Sequence, residues 1–184
     1  MSEGLIWKRV SEQPFIKPNE GTVAPDAVTT PDILIDNGVA HLYVGAVDGH
    51  SERIIHMCLT SEDIKRGQPI EISKSARVVL DAGPEKYDRQ HVFDPAVAVW
   101  ENKLHLYYSA IGEGEDSIGL AISKNKQDFR KRKNPLLIGR SPEVVIKDNM
   151  TYLFYVLINQ NQRYSIFAAN SKDGINFNFV SSSP

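Results

Sequence analysis

The sequence has one cysteine, no long apolar run and almost no excess charge, and each scarcity excludes a class of protein. A single cysteine, Cys58, cannot form an intrachain disulfide, so a small disulfide-stapled scaffold is excluded. No apolar stretch approaches the roughly 20 residues of a membrane-spanning helix, so we expect no membrane partner. The formal net charge of −2 lacks the basic excess that nucleic acid requires, so we expect no nucleic-acid partner.

The N-terminal residues do not have the charged and apolar segments of a signal peptide in their usual order. A cytoplasmic protein is therefore the default expectation, with a processed secreted protein as the alternative. Helical periodicity is also absent almost everywhere, apart from one turn at residues 62–66. With 184 residues, of which 41% are apolar, the chain is long enough for one domain of the all-β class.

One segment occurs three times, at residues 30–43, 94–107 and 141–154, which align without a gap. Each copy has a proline, a short β-branched run, a polar turn pair and a second strand with alternating aromatic and aliphatic residues. The turn pairs predict tight antiparallel hairpins, most clearly at Asn37 and Gly38, because both residue types tolerate positive φ.

The repeated proline predicts where the first strand of each copy begins. Proline at the first position of a strand costs no ladder hydrogen bond. We therefore expect strands to start near Pro31, Pro95 and Pro142.

Two further strands complete each copy, so that four strands recur roughly every 45–65 residues, which is typical of propeller blades. We expect one β-propeller domain over residues 1–184, with three four-stranded blades at about residues 28–80, 92–138 and 140–182. Residues 5–15 resemble the fourth-strand segments and predict an orphan strand. Since a closed ring usually needs at least four blades, we expect an incomplete ring.

The repeats resemble the five-bladed β-propeller glycoside hydrolases of family 43 and of the related families 32 and 68. The stretches that carry this resemblance are residues 93–97, 104–109, 118–123, 141–145 and 152–155. The resemblance implies a ring of the five-bladed type and an oligosaccharide or glycoside as the partner. It implies no cofactor.

In family 43 three carboxylates act at the central tunnel: a base, an accessory aspartate that tunes pKa, and a general acid. The resemblance matches Asp94, in Phe-Asp-Pro, to the accessory aspartate. The third copy has Arg140 and Ser141 where the family has its acid, and arginine does not donate protons near neutral pH. The first copy has Thr30 before its proline, as in the family's non-catalytic second blade. The resemblance therefore implies blades two to four, without the blade that donates the base.

The candidate site residues flank the three prolines, and each has a structural alternative. Asp94 could cap a turn, Arg140 could form an ion pair with Asp94, and the residues that follow the prolines could be polar contacts between blades. The candidate catalytic residues are Asp94, Asp32 and Glu143, and the candidate substrate-binding residues are Arg140, Thr30, Phe93 and Ser141.

Histidine positions do not indicate a metal site. His41 and His105 occupy the same repeat position, which favours packing between blades over metal binding. His50, His56 and His91 are spread too widely for a zinc-binding spacing, so we expect no metal.

Two functions are consistent with the sequence. The first is a glycoside-hydrolase-like propeller that binds carbohydrate and, if active, hydrolyses glycosidic bonds; the alternative is a non-catalytic carbohydrate-binding or assembly module that has lost the triad. Because one of three carboxylates matches, the residues leave catalysis undecided. An open propeller would expose apolar residues such as Tyr43, Val44, Tyr152 and Phe154, so we expect a homodimer that completes or covers the ring. Residues 5–15 would pair with the partner or cover an open face.

Overall fold

The computed structural model describes residues 9, 11–72, 76–158, 161 and 163–180. The backbone in these ranges is nearly all β, which confirms the predicted all-β class. The described residues of the predicted orphan strand, 9 and 11–15, lie in no strand; the others of that segment fall outside the described residues. Instead, Ile16 forms an isolated parallel bridge with Ile70.

The first sheet consists of β1 (Ala27–Asp36), β2 (Val39–Asp48), β3 (Ser51–Thr60) and β4 (Arg77–Leu80), all antiparallel neighbours. The helix α1 (Ser61–Arg66) follows β3, close to the single turn predicted at residues 62–66. It begins there because Thr60 and Asp63 cap it reciprocally, each side chain accepting the other's backbone N–H.

The second and third sheets repeat this order. The second consists of β5 (His91–Trp100), β6 (Lys103–Ile111), β7 (Ser117–Ser123) and an outer edge split into β8 (Arg130–Lys131) and β9 (Leu137–Ile138). A parallel bridge between Glu52 and His91 connects it to the first sheet. The third consists of β10 (Arg140–Lys147), β11 (Met150–Ile158), β12 (Tyr164–Ser171) and β13 (Asn178–Phe179). The inner strand β5 contacts both other inner strands, β1 and β10.

The sequence predicted that the inner strands start near the prolines. β10 does begin two residues before Pro142, but β1 and β5 begin four residues before Pro31 and Pro95, so each proline lies inside its strand. In each strand the ladder register shifts at the proline, and the residue before the proline has a positive φ of 34°, 47° or 51°. A β-bulge removes residues from the ladder, so a proline without an N–H costs nothing there. The three residues with this conformation are Thr30, Asp94 and Ser141.

The predicted hairpins between the first two strands of each sheet are confirmed. Both residues of every turn pair have positive φ, from 48° to 76°. This is the backbone of a two-residue type I′ turn, whose twist matches that of the flanking strands. The pairs are Asn37 and Gly38, Glu101 and Asn102, and Asp148 and Asn149.

A repeated tyrosine connects each sheet to the next. The Tyr43 hydroxyl donates to the Lys126 carbonyl oxygen at 2.8 Å, and the Tyr43 ring meets the edge of Phe129 at a centroid distance of 6.0 Å. Tyr107, at the same repeat position, donates to the Gly174 carbonyl oxygen at 2.8 Å. Its ring also meets a phenylalanine edge-on at 6.0 Å. We call this contact the tyrosine lock.

The turns that receive the tyrosine lock are built in the same way. Asn125 Oδ1 accepts the backbone N–H of Asp128 at 2.8 Å, and Asp173 Oδ1 accepts that of Asn176 at 2.8 Å. The amide and carboxylate have exchanged places between the two turns, because either side chain can accept these bonds. In the second turn these bonds hold the pKa of Asp173 well below its usual range.

The first sheet does not expose the apolar residues that the sequence analysis expected to be exposed, whereas the third sheet exposes one of them. Tyr43 and Val44 are 0% and 3% exposed: Tyr43 packs against the second sheet, and Val44 lies beneath Phe15 and its neighbours. Phe154, at the repeat position of the locking tyrosines, is 40% exposed, as expected, and Tyr152 is half-buried. The third sheet therefore carries an open apolar face.

The tyrosine lock predicts the effect of removing one hydroxyl. Tyr107→Phe removes the tyrosine hydroxyl that donates to the buried Gly174 carbonyl, so we expect the free energy of unfolding to fall by about 1–2 kcal/mol. Urea unfolding followed by circular dichroism measures it. The control is Tyr164→Phe, whose side chain is 64% exposed, and which should change the free energy little. Equal effects of the two substitutions would show that the lock does not stabilise the fold.

Candidate functional site

The left-handed residues before the prolines define the candidate site. Thr30, Asp94 and Ser141 each have a Cβ and precede a proline, and both features disfavour a positive φ. Such a conformation costs on the order of 1–3 kcal/mol per residue and occurs mainly at functional sites, where surrounding contacts enforce it. Its recurrence in three neighbouring inner strands marks this end of the sheets.

A hydrogen-bond network fixes Asp94 between the second and third sheets. The hydroxyls of Ser109 and Ser141 both donate to Asp94 Oδ2, at 3.0 and 2.9 Å. Ser109 Oγ also accepts the backbone N–H of Ser141 at 2.7 Å. Within the described part of the chain no donor reaches Oδ1 of Asp94, so this oxygen is available to a ligand hydroxyl.

Arg140 does not form the ion pair with Asp94 that the sequence analysis favoured. Its guanidinium lies 3.5 Å from Asp116 and 5.6 Å from the centroid of the Phe93 ring. Phe93 is 9% exposed, because the strand pair and this cation–π contact cover it. Arg140 therefore covers Phe93 beside the Asp94 network.

Thr30 lies in β1, and Arg140 lies in β10, at the other end of the row of three inner strands. Its hydroxyl is 3.4 Å from that of Thr29, which donates to Glu52 at 2.8 Å. Thr30 and Pro31 also line a groove of about 780 Å³ between the first sheet and residues 11–16. The other walls of this groove are mostly apolar.

Asp32 connects the first and second sheets. Its carboxylate accepts the backbone N–H of Val97 at 2.6 Å and that of Ile33 at 2.7 Å. Burial raises the pKa of Asp32 above its usual value, although these two hydrogen bonds act in the opposite direction. With its oxygens engaged by backbone donors, Asp32 serves as the contact between blades that was the structural alternative.

Glu143 has the repeat position of Asp32 but a different environment. Its neighbour Val144 packs between the second and third sheets, so Glu143 faces the other side of β10, where it is exposed. Partial burial and the negative charge of Asp32 both raise the pKa of Glu143. The structure thus brings Asp32 and Glu143 within electrostatic reach of each other, and separately brings Asp94 and Ser141 together.

Glycoside hydrolysis needs two carboxyl groups on opposite sides of the scissile bond, roughly 6.5–9.5 Å apart for inversion or about 5–5.5 Å for retention. Of the three left-handed positions, one has a carboxylate, Asp94. At these three positions the described residues therefore provide one carboxylate, which can bind and orient a polyol.

The sequence analysis missed three groups that the fold places near other functional side chains. Ser109 is the cross-strand partner of Phe93. Counting back from the hairpin turn would have placed it opposite Asp94, one residue away, because the bulge between Phe93 and Ala96 shifts the register. Asp116 becomes important only because the third sheet brings the Arg140 guanidinium to within 3.5 Å of its carboxylate. The third group is a cluster of His41, His56 and Cys58, whose ligand atoms lie within 4.8 Å of one another. His41 and Cys58 are cross-strand partners, which register would have shown and sequence spacing did not.

Comparisons with known proteins establish the fold. A family 117 glycoside hydrolase of the marine bacterium Zobellia galactanivorans is 25% identical, with a TM-score of 0.69 over 90% of this chain and 49% of its own. A thermostable family 43 glycoside hydrolase is 17% identical, with a TM-score of 0.65 over 86% and 60%. The family 32 β-fructofuranosidase of Bombyx mori is 18% identical, with a TM-score of 0.63 over 84% and 34%.

These likenesses confirm that the chain has the fold of the propeller glycoside hydrolases, as the repeats predicted. The chain spans about half the length of the first of these structures and less of the insect enzyme. No protein-family profile and no curated protein matches the sequence. No helix in the described ranges has the length and apolar character needed to cross a membrane.

Proposed function

We propose that the chain is a carbohydrate-active propeller segment that binds an oligosaccharide at the end of the inner strands marked by Thr30, Asp94 and Ser141. The observation that carries the proposal is the fixed orientation of Asp94 by two serine hydroxyls from two sheets, at a strained backbone position. A carboxylate held in this way accepts hydrogen bonds from vicinal sugar hydroxyls with little loss of side-chain entropy.

In this proposal Asp94 is the accessory carboxylate of a glycosidase-type site. Hydrolysis of a glycosidic bond then requires an acid and a base from outside the described residues. The similarity in fold to glycoside hydrolases of families 117, 43 and 32 supports the substrate class.

A non-catalytic carbohydrate-binding or assembly module is the second candidate. Arg140 and Ser141 favour it, because they stand where the resemblance places the general acid and neither is a proton donor near neutral pH. Arg140 is also engaged by Asp116 and Phe93. The two candidates share the binding site and differ in turnover.

A binding and turnover assay with the purified chain tests the proposal. We expect no hydrolysis of aryl arabinosides, xylosides or fructosides, and binding of at least one of the matching oligosaccharides by titration calorimetry. Asp94→Asn removes a charge-assisted acceptor worth about 1.5–3 kcal/mol, so we expect affinity to fall by roughly 10- to 100-fold.

Asp148→Asn is the matched control, because Asp148 lies in an exposed hairpin turn at the other end of the third sheet. This variant should bind as the wild-type chain does. Robust hydrolysis that survives Asp94→Asn would place the site elsewhere, and failure of every sugar to bind would overturn the proposed function.

We also propose that the 184-residue chain forms a homodimer through the open face of the third sheet. Two exposed side chains that share this face support the proposal: Phe154 at 40% and Ile166 at 77%. Phe154 holds the position from which Tyr43 and Tyr107 reach the following sheet, and an apolar patch of several hundred Å² drives association. A two-fold interface between like faces would cover two such patches at once.

The molar mass in solution tests the dimer. Light scattering coupled to size exclusion should give twice 20.6 kDa for the wild-type chain at micromolar concentration. Ile166→Lys places a charge in the interface and should give the monomer mass. Ile138→Lys, on the edge of the second sheet at a side chain that is 53% exposed, is the control and should remain dimeric. A monomeric wild-type chain would contradict the proposal.

A further inference from the structure

The neighbouring strands β2 and β3 bring two imidazoles and a thiol together. His41 Nδ1 lies 3.0 Å from His56 Nε2, and Cys58 Sγ lies 3.6 Å from the first nitrogen and 3.8 Å from the second. His41 is the cross-strand partner of Cys58, and His56 precedes Cys58 by two residues, so all three side chains share one face of the sheet.

These three distances resemble the edges of a tetrahedral zinc site. Bond lengths of about 2.05 Å to nitrogen and about 2.3 Å to sulfur require ligand separations of roughly 3.3 Å between nitrogens and roughly 3.6 Å between nitrogen and sulfur. The observed triangle matches both values within a few tenths of an ångström.

The charged side chains near the two histidines are already paired. Lys126 pairs with Asp36, and Arg77 pairs with Asp128, so neither presents an unpaired positive charge to an incoming cation. A cysteine that coordinates a metal ion releases its proton, as thiolate ligands do.

We propose that His41, His56 and Cys58 bind a thiophilic divalent cation of the zinc class, with a fourth coordination position open to solvent. A site of two imidazoles and one thiolate binds zinc or copper in preference to magnesium or calcium. Cys58 is exposed, so the ion can enter and the fourth position can hold water. His56 is 2% exposed and packs at 4.8 Å from the Tyr43 ring, so the bound ion would stabilise the sheet beside the tyrosine lock.

The second sheet shows that this cluster is specific to the first. His105 holds the repeat position of His41, but its cross-strand partner is Ile122, and the position equivalent to His56 is Leu120. The two residues on β7 that correspond to Cys58 and His56 are therefore aliphatic, so His105 has no metal-binding neighbour at these positions. The site is also separate from the bulge at Thr29 and Thr30, because His41 lies four residues along β2 from Gly45, the partner of Thr29. That separation is about 13 Å of strand.

Cobalt titration of the chelator-treated, reduced chain tests the site independently of any sugar. We expect one Co²⁺ per chain, with the charge-transfer absorption of a cobalt–thiolate bond and the intense visible bands of a tetrahedral centre, all displaced by one equivalent of Zn²⁺. Zn²⁺ should also raise the thermal unfolding midpoint.

Cys58→Ser removes the thiolate at an exposed position, so the variant should fold and lose about 100-fold or more in affinity together with the charge-transfer band. His41→Gln should weaken binding as well, and His50→Gln, at an exposed histidine outside the cluster, is the control and should bind normally. The proposal would be overturned if the wild-type chain showed no cobalt–thiolate band, or if the Cys58→Ser chain bound the metal equally well. The contact between His41 and His56 would then be only a hydrogen bond between two imidazoles.

Discussion

The tyrosine lock is the contact on which the order of the sheets depends. A sheet in this fold carries apolar side chains on both faces. The neighbouring sheets must therefore be held at a fixed angle to it, so that those faces are buried. The hydroxyls of Tyr43 and Tyr107 set that angle by donating to carbonyls in the turns of the following sheet, while each ring packs against a phenylalanine. The polar bond specifies the register between sheets, and apolar burial supplies most of the stability. At the third sheet the same position is Phe154, which has no hydroxyl and no following sheet in the described chain.

The candidate sugar site follows from the same placement of sheets. Asp94 belongs to the second sheet and Ser141 to the third, so their hydrogen bond exists only when the inner strands β5 and β10 are held side by side. The left-handed backbone before each proline is tolerated because bulge, proline and network enforce it together. Asp32 acts similarly between the first and second sheets, with its carboxylate on the Val97 amide.

Local features were predictable from the sequence, and contacts between sheets were not. The hairpins are encoded in two adjacent residues, so Asn37 and Gly38 were enough to place a turn. The starts of β1 and β5 were predicted four residues too late, because proline is tolerated equally at a first position and at a bulge, and the pattern does not separate the two. The partners of Arg140 and Asp32 depend on how twisted sheets stack, which no sequence spacing reports. The His41, His56 and Cys58 cluster lies between these cases, since the register of one hairpin was sufficient to find it.

The central proposal is that another sheet, from a second copy of the chain, covers the open face of the third sheet. Backbone amide hydrogen exchange in β12 (Tyr164–Ser171), measured at nanomolar and at tens of micromolar chain, tests this most directly. The account predicts that exchange in β12 slows markedly at the higher concentration, because a second copy covers Ile166 and its neighbours, while exchange in the interior strand β7 stays constant. Equal exchange rates in β12 at both concentrations would contradict it.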